Sequence, residues 1–282
     1  MDFLSLDPLL RQALQEDLGR GDITTEAILQ ANPRADGVGT ARVLARQRMI
    51  LAGWPVFLRV FRLLGPVTGQ ARYGEGDWVE PGCLGTLEGP VSTLLQAERV
   101  ALNFLQRLCG IATRTRGCVD RVGSSRVRVL DTRKTTPLWR NLEKYAVRMG
   151  GGQNHRMGLD DGVLIKENHI AAAGGVRAAV EACRERSGHL QQIRVEVTNQ
   201  QELAAALDTG ADAVLLDNMT VEQVRRSVAA CAGRCLVEAS GGITRRNLQA
   251  YAETGVDFIS MGSLTHSVAS SDISLMLDVG GP

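Results

Sequence analysis

Residues 193–217 read IRVEVTNQQELAAALDTGADAVLLD. An apolar run at Ile193–Val197 is followed by an amphipathic stretch at Asn199–Ala206 and by a second apolar run at Ala213–Leu216. Short apolar runs on either side of a stretch with helical periodicity are typical of a strand, a helix and a second strand. Two strands joined by a helix lie parallel in one sheet. This segment therefore predicts an α/β fold.

The same alternation occupies the second half of the chain. Short apolar runs recur at a spacing of roughly 20 to 30 residues, which is the signature of a parallel α/β sheet or barrel. Amphipathic stretches separate the later runs. The runs are Val127–Leu130, Gly162–Ile165, Ile193–Val197, Ala213–Leu216, Cys235–Glu238 and Phe258–Met261, and the amphipathic stretches are Ala171–Arg186, Asn199–Ala206, Val221–Ala230 and Thr244–Thr254.

The first part of the chain is organised differently. Asp7 and Pro8 have the character of a helix N-cap and first turn, and residues 38–90 combine alternating segments with turn signals typical of β-structure. A helix is predicted from near Ser92 to a terminus at Cys109–Gly110. Because the strand–helix alternation starts only after this helix, and 282 residues exceed one typical domain, we expect two domains.

Charge is distributed unevenly, although the net charge of +1 implies no general attraction to nucleic acid or to a membrane. Residues 99–148 hold twelve Lys or Arg and three Asp or Glu, a local charge of +9. Such a segment is either a basic solvated face or part of an anion site. The three lysines of the chain are Lys134, Lys144 and Lys166, whereas 29 arginines supply the other cations. Lysine is a compact mobile cation and arginine a rigid fork, so this concentration hints at a chemical need for lysine there.

The chain is expected to be a cytoplasmic protein. Its six cysteines are scattered without a Cys-x-x-Cys pair, as expected of small buried thiols in a reducing compartment. The N-terminal residues lack the basic and apolar regions of a signal peptide, and no apolar run reaches membrane length.

Polar or glycine residues stand at the end of each of the six apolar runs. In parallel α/β barrels the functional groups lie where strands end and loops begin. The first two runs lead to cations, the next two to carboxylates and the last two to glycine turns. One pocket is therefore predicted to hold an anionic ligand beside a metal ion or sugar hydroxyls. The residues are Asp131-Thr132-Arg133-Lys134, Lys166, Glu196, Asp217, Ser240-Gly241-Gly242 and Gly262-Ser263.

The glycine turns after the last two runs suggest a phosphate site. Ser240-Gly241-Gly242 precedes a helix predicted to begin near Thr244, and the backbone N–H groups of a helix N-terminus attract phosphate. Each glycine pair alone is equally well explained by an ordinary tight turn. Together with the cations, the turns favour a sugar that carries phosphate and pyrophosphate, with Mg²⁺ accompanying the diphosphate.

Longer stretches carry a resemblance to one known family. They are DTRKTTP at 131–137, EKYAV at 143–147, GGGQNHRMGL at 150–159, LIKENHI at 164–170, LLDN at 215–218, EASGGI at 238–243 and MGSLTHS at 261–267. Through them the chain resembles the quinolinate phosphoribosyltransferases along nearly its whole length. The resemblance implies transfer of phosphoribosyl from phosphoribosyl pyrophosphate to quinolinate with loss of carbon dioxide, which gives nicotinate mononucleotide for NAD synthesis. It implies Mg²⁺ and no organic cofactor.

By that resemblance the site has three parts. The first is a cationic pocket for the quinolinate carboxylates and the phosphates, the second holds Mg²⁺ and the ribose hydroxyls, and the third cradles the 5′-phosphate. The expected catalytic residues are Lys134, Lys166, Glu196 and Asp217. The first part consists of Arg133, Lys134, His155, Arg156 and Lys166, the second of Glu196 and Asp217, and the third of Ser240, Gly241, Gly242, Gly262 and His266.

The resemblance also implies the architecture. An N-terminal α/β sandwich is expected at residues 1–112 and an incomplete α/β barrel of seven strands at 113–267, with the tail 268–282 packed against the sandwich. The family forms dimers, and Arg99 is expected to enter the site of the partner subunit. Leu138-Trp139 departs from the family, because many members have Gly at the first position. A local packing change without loss of activity is expected there.

Other interpretations stay open on the residues alone. Lysines that end barrel strands also suit a Schiff-base aldolase or lyase, and the glycine turns also suit a sugar-phosphate-binding protein without catalysis. Within the family, a molybdate-operon branch, whose substrate is less well defined, is a third alternative. Helix geometry alone makes Arg99 a solvated charge and places Lys144 and Arg148 on a surface, and His155 and His169 are equally explained as structural histidines.

Overall fold

A computed structural model describes residues 2–32, 36–123 and 126–278. The chain divides into two compact units, Met1–Arg114 with Val268–Pro282 and Thr115–Ser267. The domain boundary expected between residues 112 and 113 stays a prediction. The last four residues of the expected tail, 279–282, lie outside the described residues. None of the helices in the described ranges combines the length and the apolar character needed to cross a bilayer.

The first unit is built on an antiparallel sheet. Its strands are β1 (Val38–Ala45), β3 (Thr68–Ala71), β5 (Gly82–Pro90) and β12 (Ile273–Asp278), in the order β12-β1-β5-β3. Exposed and buried residues alternate along β1, as they do in a sheet that covers a core with one face. A separate two-stranded pairing joins β2 (Met49–Ile50) to β4 (Trp78–Val79).

The helices of this unit differ from the predicted ones at their ends. They are α1 (Phe3–Leu18), α2 (Ile23–Ala31), α3 (Trp54–Arg62) and α4 (Val91–Val122), whose last residues belong to the second unit.

The prediction that Asp7 and Pro8 begin the first helix was wrong. The N-cap of α1 is Asp2, whose side chain accepts a hydrogen bond from the Leu4 N–H at 2.9 Å, so Pro8 lies inside the helix. Likewise, α4 does not end at Cys109–Gly110. A Cβ at position 110 would lie 2.3 Å from the carbonyl oxygen of Ala269, so this glycine permits a close approach of two backbones.

The second unit contains all six predicted strands. They are β6 (Arg128–Leu130), β7 (Val163–Ile165), β8 (Ile193–Val197), β9 (Ala213–Asp217), β10 (Leu236–Ser240) and β11 (Phe258–Ser260), all parallel, in the order β6-β11-β10-β9-β8-β7. The seventh strand is reduced to a single parallel bridge between Gln153 and Leu130. Within the described ranges no pairing links that bridge to β7, so the barrel is incomplete, as expected.

Helices alternate with these strands. They are α5 (Arg140–Met149), α6 (Glu167–Ala173), α7 (Val176–Arg186), α8 (Gln200–Asp208), α9 (Val221–Cys231), α10 (Leu248–Ala252) and α11 (Ser263–His266). The helix predicted at Ala171–Arg186 is divided at Gly174 and Gly175, which both have positive φ, at 82° and 146°. The helix predicted to begin near Thr244 begins only at Leu248 and is five residues long.

Strand register sets which side chains reach the site. Along β8 the side chains of Ile193, Val195 and Val197 are buried, whereas Arg194 and Glu196 alternate with them on the other face. Glu196 pairs with Leu215 on β9, and Asp217 pairs with Ser240 on β10. The carboxyl ends of these parallel strands therefore meet at one edge of the sheet.

Candidate active site

A cavity of about 350 Å³ lies at the carboxyl ends of the parallel strands in the second unit. We call it the strand-end pocket. It brings together ten of the predicted site residues: Arg133, Lys134, His155, Arg156, Lys166, Glu196, Asp217, Ser240, Gly241 and Gly242. Five further residues line the pocket: Thr132, which the pattern of polar strand ends had already named, and Leu164, Leu215, Asn218 and Ser260, to which the sequence had not assigned a role.

Asp131 and Ser263, which follow predicted strands, do not line the strand-end pocket. Nor do three residues whose roles the family resemblance implies. Gly262 adjoins the lining residue Lys134, since a Cβ at position 262 would be 2.9 Å from Cδ of Lys134 and 3.1 Å from the His266 ring. His266 itself belongs to the short helix α11. Arg99 lies on α4 in the other unit, where its side chain is 59% exposed and 3.9 Å from the carboxylate of Glu98. Its expected role in a partner subunit stays a prediction.

The cations of the pocket are held in different ways. The Arg156 guanidinium donates through Nη1 to the carbonyl of Gly162 at 2.8 Å, while its buried Nε has no hydrogen-bond partner among the described residues. Burial, together with the nearby charge of Arg133, lowers the pKa of Arg156. Lys166 donates to the carboxylate of Glu196. Four cations converge on this pocket, so an anion that enters it finds donors with incomplete partners.

His155 is a neutral ring in this setting. Its Nδ1 accepts a hydrogen bond from the Arg156 N–H at 2.7 Å, and its Nε2 lies 3.7 Å from Oε1 of Glu238 and 3.5 Å from Nη1 of Arg194. Burial lowers the pKa of His155 to about 4, and the charge of Arg194 acts in the same direction. Near pH 7 the ring therefore offers hydrogen bonding without a positive charge.

Two carboxylates from neighbouring strands face the cations. The Glu196 side chain is 15% exposed, and Asp217 Oδ2 accepts a hydrogen bond from the amide of Asn218 at 2.7 Å. No cluster of three or more His, Cys, Asp or Glu side chains arranged to hold a metal occurs among residues 2–32, 36–123 and 126–278. Two carboxylates nevertheless suit Mg²⁺, which keeps several water ligands and commonly binds protein through only one or two carboxylates.

The turn after β10 depends on glycine. Gly241 has φ +86°, and a Cβ there would lie 2.3 Å from Oδ1 and 2.7 Å from the backbone nitrogen of Asn218. Gly242 has φ +63° and faces open space. The predicted contribution of a helix dipole was wrong, because the next helix begins six residues later and is short. The backbone N–H groups of the turn are what is left of the predicted phosphate site, which stays a prediction.

The helical spacing of Lys144 predicted a surface position, and this prediction was wrong. Its side chain and that of Asp131 are fully buried, and Nζ donates to Asp131 Oδ1 at 2.5 Å. Arg148, one helical turn later, is exposed as predicted. The rarity of lysine in the chain was the one signal that set Lys144 apart, and i,i+4 spacing could not show which face of α5 is buried.

Comparison with known proteins identifies the family. The family model described as "Quinolinate phosphoribosyl transferase, C-terminal domain" matches residues 111–276, and the model of the N-terminal domain matches residues 22–109. The chain belongs to the quinolinate phosphoribosyl transferase family. Both matched segments together span most of its length.

Individual members of the quinolinate phosphoribosyl transferase family are similar over nearly the whole chain. A protein of Bacillus subtilis named "Probable nicotinate-nucleotide pyrophosphorylase [carboxylating]" is 42% identical, over 98% of this chain and 94% of its own length. The Mycobacterium leprae "Nicotinate-nucleotide pyrophosphorylase [carboxylating]" is 41% identical, over 95% of both chains. The crystal structure of NadC from Streptococcus pyogenes superposes with a TM-score of 0.92 at 40% identity, over 99% of this chain and 98% of that one.

Proposed function

We propose that this chain transfers phosphoribosyl from phosphoribosyl pyrophosphate to quinolinate, as a carboxylating nicotinate-nucleotide pyrophosphorylase. The products are nicotinate mononucleotide, pyrophosphate and carbon dioxide, and the reaction serves NAD synthesis. The observation that carries the proposal is the strand-end pocket, where four cations face two carboxylates in a chain of this family. Family membership favours this enzyme over a Schiff-base aldolase or a non-catalytic sugar-phosphate binder. The names of the relatives favour the quinolinate branch over the molybdate-operon branch.

Quinolinate carries two carboxylates on adjacent ring carbons, and the pocket offers complementary donors. Arg133 and Arg156 present planar guanidinium groups, which bind carboxylates through paired hydrogen bonds. The buried Nε of Arg156 supports this role, because it has a donor to offer. The neutral His155 ring adds hydrogen bonding, and the half-exposed Lys166, which donates to Glu196, adds a positive charge to the pocket lining.

Phosphoribosyl pyrophosphate is proposed to bind along the opposite side of the pocket. The open backbone of Gly241 and Gly242 suits its 5′-phosphate, with Ser240, Gly262 and His266 as further contacts.

Glu196 and Asp217 are proposed to bind the ribose hydroxyls and to hold Mg²⁺ through water and substrate oxygens. Two carboxylates on adjacent strands fit the oxygen ligands that this ion prefers. When bound, Mg²⁺ would neutralise part of the pyrophosphate charge.

The chemistry requires mainly positioning and charge neutralisation. The pyridine nitrogen bonds to C1 of the ribose as the bond to pyrophosphate breaks, and Lys134 and Lys166 neutralise the departing charge. A carboxylate such as Glu196 stabilises the positive charge that develops on the sugar. The carboxylate beside the nitrogen then leaves as carbon dioxide, and a proton takes its place on the ring carbon. The cationic nitrogen stabilises the electron pair left behind, so no organic cofactor is required.

We also propose that the protein acts as a homodimer in the cytoplasm. The family resemblance supports a role for Arg99 in the partner's site, and its side chain, which is 59% exposed, is free to reach a partner. The six unpaired cysteines support a reducing compartment.

Mixing two inactive variants, Arg99→Met and Lys166→Met, tests the shared site. Random exchange of subunits should restore about a quarter of the parent activity, because half of the dimers are mixed and one of their two sites is intact. Absence of any recovery after confirmed subunit exchange would place Arg99 outside the partner's site.

The direct test of the activity is an assay with phosphoribosyl pyrophosphate, Mg²⁺ and either quinolinate or nicotinate. We expect nicotinate mononucleotide and pyrophosphate from quinolinate, and no product from nicotinate. Use of nicotinate with refusal of quinolinate would assign the chain to a different transferase activity. Chelation of the metal should abolish turnover, and renewed addition of Mg²⁺ should restore it.

A further inference from the structure

A fully buried ion pair lies behind the strand-end pocket without lining it. Asp131 follows β6 and Lys144 lies in the middle of α5, and both side chains have no exposed surface. Burial raises the pKa of Asp131 and lowers that of Lys144, since removal from water penalises both charges, while their mutual contact opposes these changes. A buried pair is weak evidence of stabilisation, because apolar side chains often serve stability as well. Its remaining hydrogen bonds indicate what it does.

Both members of the pair bind the backbone of His155. Lys144 Nζ donates to the carbonyl oxygen of His155 at 2.8 Å, and the His155 N–H donates to Asp131 Oδ1 at 2.8 Å. The backbone N–H and the backbone carbonyl of His155 are therefore both held by the ion pair. The neighbouring Asn154 amide donates to Asp131 Oδ2 at 2.6 Å and to the carbonyl of Lys144 at 2.9 Å.

The pair also joins two segments of the pocket wall. Asp131 directly precedes Thr132, Arg133 and Lys134, which line the pocket, while its side chain holds the segment that carries His155. The Asp131 N–H donates to the carbonyl of Gln153 at 3.2 Å, which continues the same attachment along the backbone. The segment at 154–156, which follows the bridge at Gln153, is neither helix nor strand, so these bonds fix a stretch that secondary structure does not.

We propose that Asp131 and Lys144 are positioning residues for quinolinate. They hold His155 and Arg156 at a fixed distance from Arg133, so that the pocket matches two adjacent carboxylates. Neither touches the substrate. The inference rests on the proposed function and extends it by naming residues that set the affinity for one of the two substrates.

The test compares Lys144→Met with the double variant Asp131→Asn/Lys144→Met. The single variant leaves a buried unpaired carboxylate, whereas the double variant removes both charges. In both, the His155 carbonyl loses its donor. We expect KM for quinolinate to rise on the order of 10- to 100-fold in both variants, because small displacements of binding groups have effects of this size. KM for phosphoribosyl pyrophosphate should change much less.

The melting temperature separates positioning from folding. It should fall in Lys144→Met and recover in the double variant, while KM for quinolinate stays high in both. If KM returns to the parent value together with the melting temperature, the pair is merely structural and the inference is overturned. Failure of both variants to fold would overturn it as well, since the pair would then determine the fold. Arg177→Met, which removes a 64%-exposed cation of α7, should leave both quantities unchanged.

Activity of the parent protein with quinolinate separates failure of this inference from failure of the proposed function. If the parent does not use quinolinate, the proposed function is wrong and the inference falls with it. If the parent uses quinolinate and Lys144→Met keeps the parent KM, only the inference is wrong.

Discussion

His155 should make the stability of the protein depend on pH below the ordinary pKa of histidine. In the folded chain its pKa is lowered to about 4 from 6.5, chiefly by burial. Between these two values the unfolded chain binds a proton that the folded ring does not. The free energy of unfolding therefore falls as the pH falls through this window, and the loss is complete below the folded pKa.

The magnitude follows from the two pKa values. The complete difference corresponds to about 3 kcal/mol, and near pH 5 about 2 kcal/mol of it is expressed, against almost none near pH 7.5. Solvent screens this effect little, because the His155 side chain is only 10% exposed. His155→Asn removes the titrating ring and keeps an acceptor for the Arg156 N–H. Arg194, Glu238 and Lys166, which face the ring, are present in both proteins and cancel in the comparison.

Urea unfolding near pH 7.5 and near pH 5 measures the effect for the parent and for His155→Asn. The parent should lose about 2 kcal/mol more than the variant on acidification. His189→Asn, at an exposed position, should behave as the parent does. Equal losses in the parent and in His155→Asn would refute the account of a buried neutral ring.

Four further substitutions test local features of the structure. Leu138 has φ +67°, a strained backbone conformation for leucine, and its side chain is exposed. Leu138→Gly should therefore raise the free energy of urea unfolding by about 0.5 to 1 kcal/mol with activity unchanged. A loss of stability in this variant would show that the backbone at position 138 is not strained. Gly241→Ala should raise KM for phosphoribosyl pyrophosphate at least about tenfold, because its Cβ would collide with Asn218; an unchanged KM would remove the turn from the phosphate site. Lys134→Ala and Lys166→Ala should each lower kcat/KM by about 100-fold or more with an unchanged unfolding midpoint, and near-normal rates would refute their catalytic assignment.

The strands of the second unit were predictable because buried parallel strands leave a strong signal. The residues at Ile193–Val197 and Ala213–Leu216 form short apolar runs, which are shorter than a helix of ordinary length and so favour strands. Polar residues at the ends of such strands must meet at one edge, which is why Lys166, Glu196 and Asp217 could be grouped from the sequence.

Features that depend on tertiary packing were not predictable. The burial of Lys144 depends on which face of α5 turns inward, and its partner Asp131 lies 13 residues away in the chain. Gly110 resembles a helix terminus, but a close backbone approach by Ala269 explains it instead. The positive φ of Leu138 gives a physical reason for the expected glycine of the family at that position, which the sequence could register only as a departure.

A crystal structure with quinolinate and a non-reactive analogue of phosphoribosyl pyrophosphate would test the central claim most directly. We predict both ligands in the strand-end pocket, with the quinolinate carboxylates on Arg133 and Arg156 and the 5′-phosphate at the Gly241-Gly242 turn. Well-defined ligands bound elsewhere, with this pocket filled only by water, would contradict it.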